Sequence, residues 1–377
     1  MKIVIAMDSM KGSLTSLEAG DAVRNGILRA VPDAEILVRP MADGGEGTAE
    51  ALTAALGGHM EAVPVTGPLR EAITAQYGIA GTTALIDISA AAGLTLVPPG
   101  KRDPLFTTTY GVGEMIADAI RKGCRTFITG LGGSATSDGG IGMLQALGFG
   151  IPDQNGAPVP LGAVGLKEIA GIDLRTALPE LKNCSFTVAC DVTNPLCGEN
   201  GASAVFGPQK GAVPEMIPQM DSWLAAFASL TRKVLPNADP AAPGAGAAGG
   251  LGFAFRSFLN ARMESGADLV LRETNLEESI RGADFVITGE GKLDRQTAMG
   301  KAPIAVAALA QKHQIPVIAF GGTVSEDAGV CNENGIDAFF PILRFPCTIE
   351  EALDPQTASA NLSAAAEQLF RLIRRLR

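Results

Sequence analysis

Residues 2–30 read KIVIAMDSMKGSLTSLEAGDAVRNGILRA and give the first indication of the fold. Lys2–Met7 is a short apolar run that predicts a buried strand, and Thr15–Ala30 has apolar residues at helical spacing. The turn DSMKGS (8–13) joins them. A buried strand followed by an amphipathic helix is the repeating unit of a parallel sheet with right-handed crossovers.

The same alternation recurs at both ends of the chain. The predicted strands are Glu35–Arg39, Asp284–Thr288, Pro316–Phe320 and Asp337–Ile342, and the predicted helices are Glu46–Leu56, Pro303–His313 and Ala358–Arg377. We therefore predict a discontinuous, Rossmann-like, doubly wound α/β domain formed by residues 1–64 and 282–377.

The middle of the chain has a different pattern. The segments Glu61–Val65, Ile73–Ile79 and Ala84–Ser89 predict adjacent strands of a mixed or antiparallel sheet. A strand at Thr126–Thr129 precedes the glycine-rich run GLGGSATSDGG (130–140). We predict that residues 65–281 form a second α/β domain inserted into the first.

Composition excludes several classes of protein. The 377 residues carry a net charge of −10, which argues against a nucleic-acid partner. No apolar stretch reaches the ~18 residues of a membrane span or resembles a signal peptide. The six cysteines form no C-x-x-C pair, which indicates reduced thiols. With only two histidines, a Ser-His-Asp triad or a histidine-rich metal site is not expected.

The usual nucleotide-binding motifs are also absent. The chain has no Walker A sequence, no protein-kinase motif set and no strict dinucleotide fingerprint after its first strand. Several turns instead combine glycine with acidic and hydroxyl residues: DSMKGS (8–13), PMADGGEGT (40–48) and GLGGSATSDGG (130–140). Backbone N–H groups at a helix start bind anions well, although Asp and Ser in such turns also serve as helix caps.

Two further segments place charged residues after predicted strands. Asp191 follows the strand Ser185–Ala189, at the end where open α/β sheets bind ligands, although it could equally cap a turn. GEGKLDRQTAMGKAP (289–303) places Glu290, Lys292 and Asp294 within five positions of a predicted loop. This cluster suits a charged ligand with a metal ion, or is a solvated ion-pair loop.

Together these turns favour Mg²⁺-assisted phosphoryl transfer. That reaction needs carboxylates for the metal ion, cations for phosphate oxygens and one carboxylate for the acceptor's proton. Two alternatives stay open on the residues alone: an oxidoreductase that uses a dinucleotide without the usual fingerprint, and a solute-binding module for an acidic ligand.

Seven motifs together resemble the two-domain bacterial glycerate kinase family, often called type II or glycerate kinase I. They are DSMKGSLTS (8–16), PMADGGEGT (40–48), GLGGSATSDGG (130–140), DVTNPLCGENGA (191–202), FGPQKGA (206–212), GAAGGLGF (246–253) and GEGKLDRQTAMGKAP (289–303). The resemblance implies the glycerate kinase I fold and ATP- and Mg²⁺-dependent phosphorylation of D-glycerate to 2-phosphoglycerate. It also implies a site in the cleft between two domains, and a cytoplasmic enzyme. A glycerate 3-kinase and a kinase of another small hydroxy acid are the alternatives within this chemistry.

The individual residues receive hypothetical roles. Asp191 is the candidate base, and Lys11 and Lys292 are candidates for catalytic contacts with phosphate or carboxylate. The candidate Mg²⁺ ligands are Asp8, Asp43, Glu290 and Asp294. The candidate substrate- and phosphate-binding residues are Ser13, Gly44, Gly45, Gly132, Gly133, Ser134, Thr136, Asn194 and Lys210. The expected partners are a small-molecule substrate and a second copy in a homodimer, without nucleic acid or membrane.

Overall fold

The computed structural model describes residues 1–377, and the chain divides into two compact units. Unit 1 comprises Met1–Asp43, Ala54–Leu56 and Gly266–Arg377. Unit 2 comprises Gly44–Thr53 and Gly57–Ser265. Unit 1 is therefore assembled from the two ends of the chain.

Eleven strands and fourteen α-helices make up the two units. The strands are β1 (Lys2–Met7), β2 (Glu35–Val38), β3 (His59–Thr66), β4 (Ala72–Ala80), β5 (Thr83–Asp87), β6 (Thr126–Gly130), β7 (Ser185–Ala189), β8 (Arg262–Glu264), β9 (Phe285–Leu293), β10 (Val317–Val324) and β11 (Ala338–Pro341). The helices are α1 (Ser16–Ala30), α2 (Thr48–Ala55), α3 (Ser89–Ala92), α4 (Tyr110–Arg121), α5 (Ile141–Ala146), α6 (Ala202–Phe206), α7 (Met216–Val234), α8 (Ala247–Phe258), α9 (Gly266–Glu273), α10 (Leu276–Ile280), α11 (Ala302–Lys312), α12 (Val330–Glu333), α13 (Ile349–Leu353) and α14 (Pro355–Leu376).

The sheet of unit 1 has five parallel strands in the order β2–β1–β9–β10–β11. Counted along unit 1 this is the order 2-1-3-4-5, a doubly wound arrangement. The order reverses between β1 and β9, where Ile3 pairs with Phe285 and Met7 with Gly289. Ligands of open α/β sheets bind outside the carboxyl ends of the strands at such a reversal. The prediction of a doubly wound domain built from both termini is confirmed.

The sheet of unit 2 has six strands in chain order from β3 to β8. Strands β3, β4 and β5 pair antiparallel, whereas β5, β6, β7 and β8 pair parallel. The mixed sheet expected from the alternating segments is therefore present. The parallel half directs the carboxyl ends of β5, β6 and β7 to one edge.

Helix and core packing follow directly from the sequence. Helix α1 starts with a capping box, in which Thr15 accepts the N–H of Glu18 and the Glu18 carboxylate accepts the N–H of Thr15. It packs on α14, where a Cβ atom at Gly26 would lie 2.1 Å from the carbonyl oxygen of Ser363. In unit 2 the rings of Phe127 and Phe186 stack in the core, with centroids 4.7 Å apart.

Strands β9 and β10 are longer than the sequence predicts. β9 continues to Leu293, so Glu290 and Lys292 lie on a strand and not in a loop. The extension is stabilised by parallel pairing with β10, in which Gly321 faces Glu290 and Thr323 faces Lys292. The prediction of a loop immediately after residue 288 is therefore wrong.

The bounds of the compact units also differ from those expected from the sequence. The divisions fall at 43/44, 53/54, 56/57 and 265/266, whereas the sequence predicts them at 64/65 and 281/282. Strand β3 pairs along its whole length with β4, which places it in unit 2. Helices α9 and α10 pack with α11, which places them in unit 1.

None of the fourteen helices combines the length and apolar character needed to cross a membrane. All six cysteines are free thiols.

Candidate functional site

In unit 1, Asp8 and Glu290 lie where the strand order reverses. Asp8 directly follows β1, and its backbone N–H donates to the carbonyl oxygen of Gly289 (2.9 Å). Glu290 is the next residue of β9. Both acids are nearly buried, with 3% and 6% of their surfaces exposed. The position that the topology assigns to a ligand therefore holds two acidic side chains.

The main-chain segments around Asp8 and Glu290 approach one another closely at glycine residues. A Cβ atom on Gly291 would lie 3.2 Å from the backbone nitrogen of Lys11. A Cβ atom on Gly322 would lie 2.5 Å from the carbonyl oxygen of Gly291, closer than real Cβ atoms approach. The segments after β1, in β9 and in β10 thus pack main chain against main chain, and at Gly322 this approach leaves no room for a Cβ atom.

The charges around Asp8 make its carboxyl group unusual. Burial, together with the carboxylates of Asp43 and Glu290, raises the pKa of Asp8 to about 8. The N–H of Ser9, which donates to Asp8 Oδ1 (2.6 Å), and the ammonium group of Lys11 oppose this rise. A crowded carboxyl cluster with a raised pKa favours binding a cation or holding a proton.

Lys11 and Ser13 in the same turn have different surroundings. Lys11 Nζ lies 3.1 Å from Asp43 Oδ2, and the lysine side chain is 64% exposed. The hydroxyl of Ser13 donates to the carbonyl oxygen of Met10 (2.9 Å). Lys11 can therefore reach a ligand while it pairs with Asp43, whereas the Ser13 hydroxyl donates its hydrogen within the turn.

Asp294 closes the turn that follows β9. Its Oδ1 accepts the N–H of Gln296 (2.8 Å), and its Oδ2 lies 3.1 Å from Lys292 Nζ. Burial works to raise the pKa of Asp294, but Lys292 and the backbone N–H groups outweigh it and lower the pKa. The Lys292 side chain is 60% exposed and points its charge toward solvent as well as toward Asp294.

Sequence reasoning missed two partners of Glu290. The hydroxyl of Thr297 donates to Glu290 Oε1 (2.6 Å), and Lys301 Nζ lies 3.4 Å from Glu290 Oε2. Burial raises the pKa of Glu290, although the Thr297 bond and the Lys301 charge partly offset it. Both partners stand in the 289–303 motif, but only the fold shows that they turn back to Glu290.

In unit 2, the turns 44–48 and 130–133 pack against each other. A Cβ atom on Gly132 would lie 2.5 Å from the Cα atom of Gly45, and one on Gly130 would lie 2.7 Å from the carbonyl oxygen of Gly44. Residues 44–48 and 130–133 come from two of the predicted glycine turns. In unit 2 they therefore form one continuous main-chain surface.

The N-terminus of α2 is capped from inside unit 2. Asp87, at the end of β5, accepts the N–H groups of Gly47 (2.8 Å) and Ala49 (3.1 Å). Burial raises the pKa of Asp87 to about 7, which these two hydrogen bonds oppose. The carboxylate of Asp87 therefore accepts hydrogen bonds from N–H groups that would otherwise be available to a bound anion at the start of α2.

The turn after β6 presents less to a ligand than the sequence predicts. Gly132 is half-buried and Gly133 exposed, but residues 134–140 are buried. Asp138 accepts the N–H of Thr109 (2.9 Å), and Ser134 accepts a hydrogen bond from Lys210 (2.9 Å). The side chains of Ser134 and Asp138 therefore hold the turn from within, and the assignment of Ser134 and Thr136 to substrate binding stays a prediction.

The segment after β7 keeps Asp191 at the surface. Asp191 is exposed two residues beyond the end of β7. The side-chain amide of Asn194 donates to the carbonyl oxygen of Asn200 (2.9 Å), which closes the loop 194–200. Asn194 therefore shapes this loop, and Asp191 remains accessible at the carboxyl edge of the parallel strands.

Comparison with known proteins identifies the family. Residues 3–374 match the model of the glycerate kinase family. The chain belongs to the glycerate kinase family. It is 48% identical over 354 residues to a glycerate 2-kinase of Escherichia coli K12, covering 93% of both chains. It is 45% identical over 375 residues to a glycerate kinase of Haemophilus influenzae, covering 99% of both.

A solved structure confirms the fold of this glycerate kinase family member. The crystal structure assigned as glycerate kinase 2 from Salmonella typhimurium LT2 is 44% identical and superposes with a TM-score of 0.90. The alignment covers 100% of this chain and 98% of the other. The resemblance seen in the seven motifs is thereby confirmed. The chain is an enzyme of the kinase class, and neither the oxidoreductase nor the solute-binding alternative is supported.

Proposed function

We propose that this enzyme transfers a phosphoryl group from ATP to the 2-hydroxyl of D-glycerate and forms 2-phosphoglycerate. The single structural observation that carries the proposal is the nearly buried pair Asp8 and Glu290 at the reversal of strand order, with Lys11 and Asp43 beside it. Phosphoryl transfer depends on such positioned carboxylates and cations. The choice of the 2-hydroxyl is supported by the name of the Escherichia coli relative, glycerate 2-kinase.

Mg²⁺ fits the acidic residues of unit 1. We assign its binding to one or two of the carboxylates of Asp8, Asp43 and Glu290, because Asp43 and Glu290 contribute to the raised pKa of Asp8 and such a cluster favours a cation. No group of three or more His, Cys, Asp or Glu side chains among residues 1–377 is placed so that it could hold a metal ion by itself. This suits Mg²⁺, which is commonly held by one or two carboxylates together with water and substrate phosphates. When bound, Mg²⁺ supplies charge neutralisation to the phosphate oxygens.

Lysines supply the remaining positive charge. Lys11 and Lys292 are both more than half exposed while each pairs with an aspartate. We assign them to oxygens of the transferred phosphoryl group or of the glycerate carboxylate. Each lysine is paired with an aspartate before the ligand binds, and the ligand anion then joins that pair. The ammonium group is therefore never buried as an unpaired charge.

The acceptor side of the reaction is assigned to unit 2. The carboxylate of Asp191 takes the proton of the glycerate hydroxyl as that oxygen forms its bond to the γ-phosphorus. The bond from the γ-phosphorus to the bridging oxygen breaks, and ADP leaves with the electron pair. The turn at half-buried Gly132 and exposed Gly133 holds an anionic group of the substrate through its N–H groups.

A coupled assay tests the proposed function. Purified protein is mixed with Mg²⁺, ATP and D-glycerate, and enolase alone is added to convert 2-phosphoglycerate into phosphoenolpyruvate, which is followed by absorbance. A signal without phosphoglycerate mutase is expected. A signal that appears only after the mutase is added would make the enzyme a 3-kinase. No signal in either case, with folded protein, would refute glycerate as the substrate.

A cytoplasmic location is part of the proposal. The six free thiols suit a reducing compartment. The homodimer stays a prediction, which sedimentation of the purified protein tests.

A further inference from the structure

Lys210 is a buried lysine of unit 2, with 2% of its surface exposed. It lies in the bend between Gly207 and Gly211, where a Cβ atom on Gly211 would lie 2.2 Å from the carbonyl oxygen of Arg102. Lysines are almost never fully buried unless paired with an opposite charge, because a charge loses its hydration in the interior. Lys210 has no carboxylate within salt-bridge distance.

The ammonium group of Lys210 is bonded to the turn after β6. Its Nζ donates to Ser134 Oγ (2.9 Å) and to the carbonyl oxygen of Thr136 (2.6 Å). Burial lowers the pKa of Lys210 to about 7, and the carboxylate of Asp138 opposes this. An apolar side chain such as methionine would fill the same volume without desolvating an amine. Packing alone therefore does not account for a lysine here.

The bonded turn is fixed on several sides. The carbonyl oxygen of Gly133 accepts the N–H of Leu94 (2.7 Å). On the other side, a Cβ atom on Gly249 would lie 2.1 Å from the carbonyl oxygen of Thr136, so the non-helical segment Ala248–Gly250 of α8 packs tightly on the turn. Between these contacts the N–H groups of Gly132 and Gly133 make no hydrogen bond within the protein, and Gly133 has φ +71°. Successive N–H groups in such a turn form a concavity that binds anions.

We infer that Lys210 is a positioning residue that holds Ser134 and Thr136 so that the N–H groups of Gly132 and Gly133 point at an anionic oxygen of the substrate. The inference rests on the proposed function, since it takes the anion to be the glycerate carboxylate or a phosphate of ATP. It changes the role expected for Lys210 from the sequence, because its Nζ acts through the turn and does not touch the substrate.

The test is the variant Lys210→Met, which keeps the length of the side chain and removes its donors. Steady-state kinetics are measured separately for D-glycerate and for ATP, together with the thermal midpoint, and Lys233→Met on the exposed surface of α7 is the matched control. We expect KM for one substrate to rise about tenfold or more, with the control unchanged. A rise confined to glycerate identifies the carboxylate as the anion, and a rise confined to ATP identifies a phosphate.

A purely structural role would lower the thermal midpoint or the active fraction and leave both KM values unchanged, and that result would overturn the inference. Ser134→Ala decides the matter if Lys210→Met does not fold, because it removes one of the two hydrogen bonds and retains the lysine. For Ser134→Ala we expect a two- to fivefold rise in the same KM, and an unchanged KM contradicts the inference. Failure of the proposed function is distinguished by the wild-type enzyme, which would then be inactive on glycerate.

Discussion

The substitution Gly132→Ala tests the close approach of the two glycine turns in unit 2. Its Cβ atom would lie 2.5 Å from the Cα atom of Gly45, and Gly132 is not among the residues with positive φ. The effect is therefore a steric one between two segments of main chain, with no flexible side chain to move aside. Carbon atoms in contact sit about 3.5–4.0 Å apart, so the turns must separate by roughly 1 Å.

A displacement of this size at a substrate-positioning group costs about 10²-fold in rate, and overpacking costs about 1–3 kcal/mol of stability. We expect kcat/KM to fall by roughly that factor in the enolase-coupled assay, while thermal unfolding still shows one folded protein. Gly100→Ala is the matched control, because an added Cβ there meets nothing within 4 Å. If Gly132→Ala has wild-type kinetics, the packed turns do not position the substrate.

Three further predictions concern carboxyl groups. Asp8→Asn should raise the Mg²⁺ concentration that gives half-maximal activity by about tenfold; an unchanged requirement would remove Asp8 from the metal site. Asp191→Asn should lower kcat by about 10²-fold or more; a raised KM with normal kcat would make Asp191 a binding residue. Burial raises the pKa of Asp87 to about 7, above the 3.8 of an unperturbed aspartate, so its contribution to stability is fully present below about pH 4 and is lost as pH rises through 7. Denaturant unfolding of wild type and Asp87→Asn at several pH values should show the stability of wild type falling relative to the variant by up to about 4 kcal/mol across that range; a constant difference between the two proteins would refute this reasoning.

Local signals in the sequence were sufficient for much of the fold. The apolar run Lys2–Met7 predicted the bounds of β1, and the helical spacing of apolar residues over Thr15–Ala30 predicted α1, which begins one residue later at Ser16. The extension of β9 to Leu293 had no such signal. It depends on pairing between Lys292 and Thr323, which are far apart in the sequence, and glycines in both strands argue locally against a strand.

The positions of candidate site residues were predictable where they directly follow a strand. They were not predictable in the turn 130–140, whose side chains fold back into the protein. Asp8 directly follows β1, as the apolar run Lys2–Met7 predicts, whereas Glu290 was expected in a loop and lies within β9. Thr136 and Asp138 stand in a glycine-rich turn that looks open in the sequence, yet both are fully buried. Their burial depends on groups distant in sequence, including Lys210, whose hydrogen-bond acceptor lies 74 residues away.

The pairing of β1 with β9 has a consequence for biosynthesis. Ile3 at the start of the chain pairs with Phe285, and α1 packs on α14 near the C-terminus. Contacts of such long sequence separation form slowly, and domains tend to fold as units during synthesis. We therefore expect residues 57–265 to fold as a unit during synthesis, before β9 has been made and can pair with β1. A nascent chain stopped before residue 285 would have β1 paired with β2 but would leave the other edge of the apolar strand Lys2–Met7 unpaired.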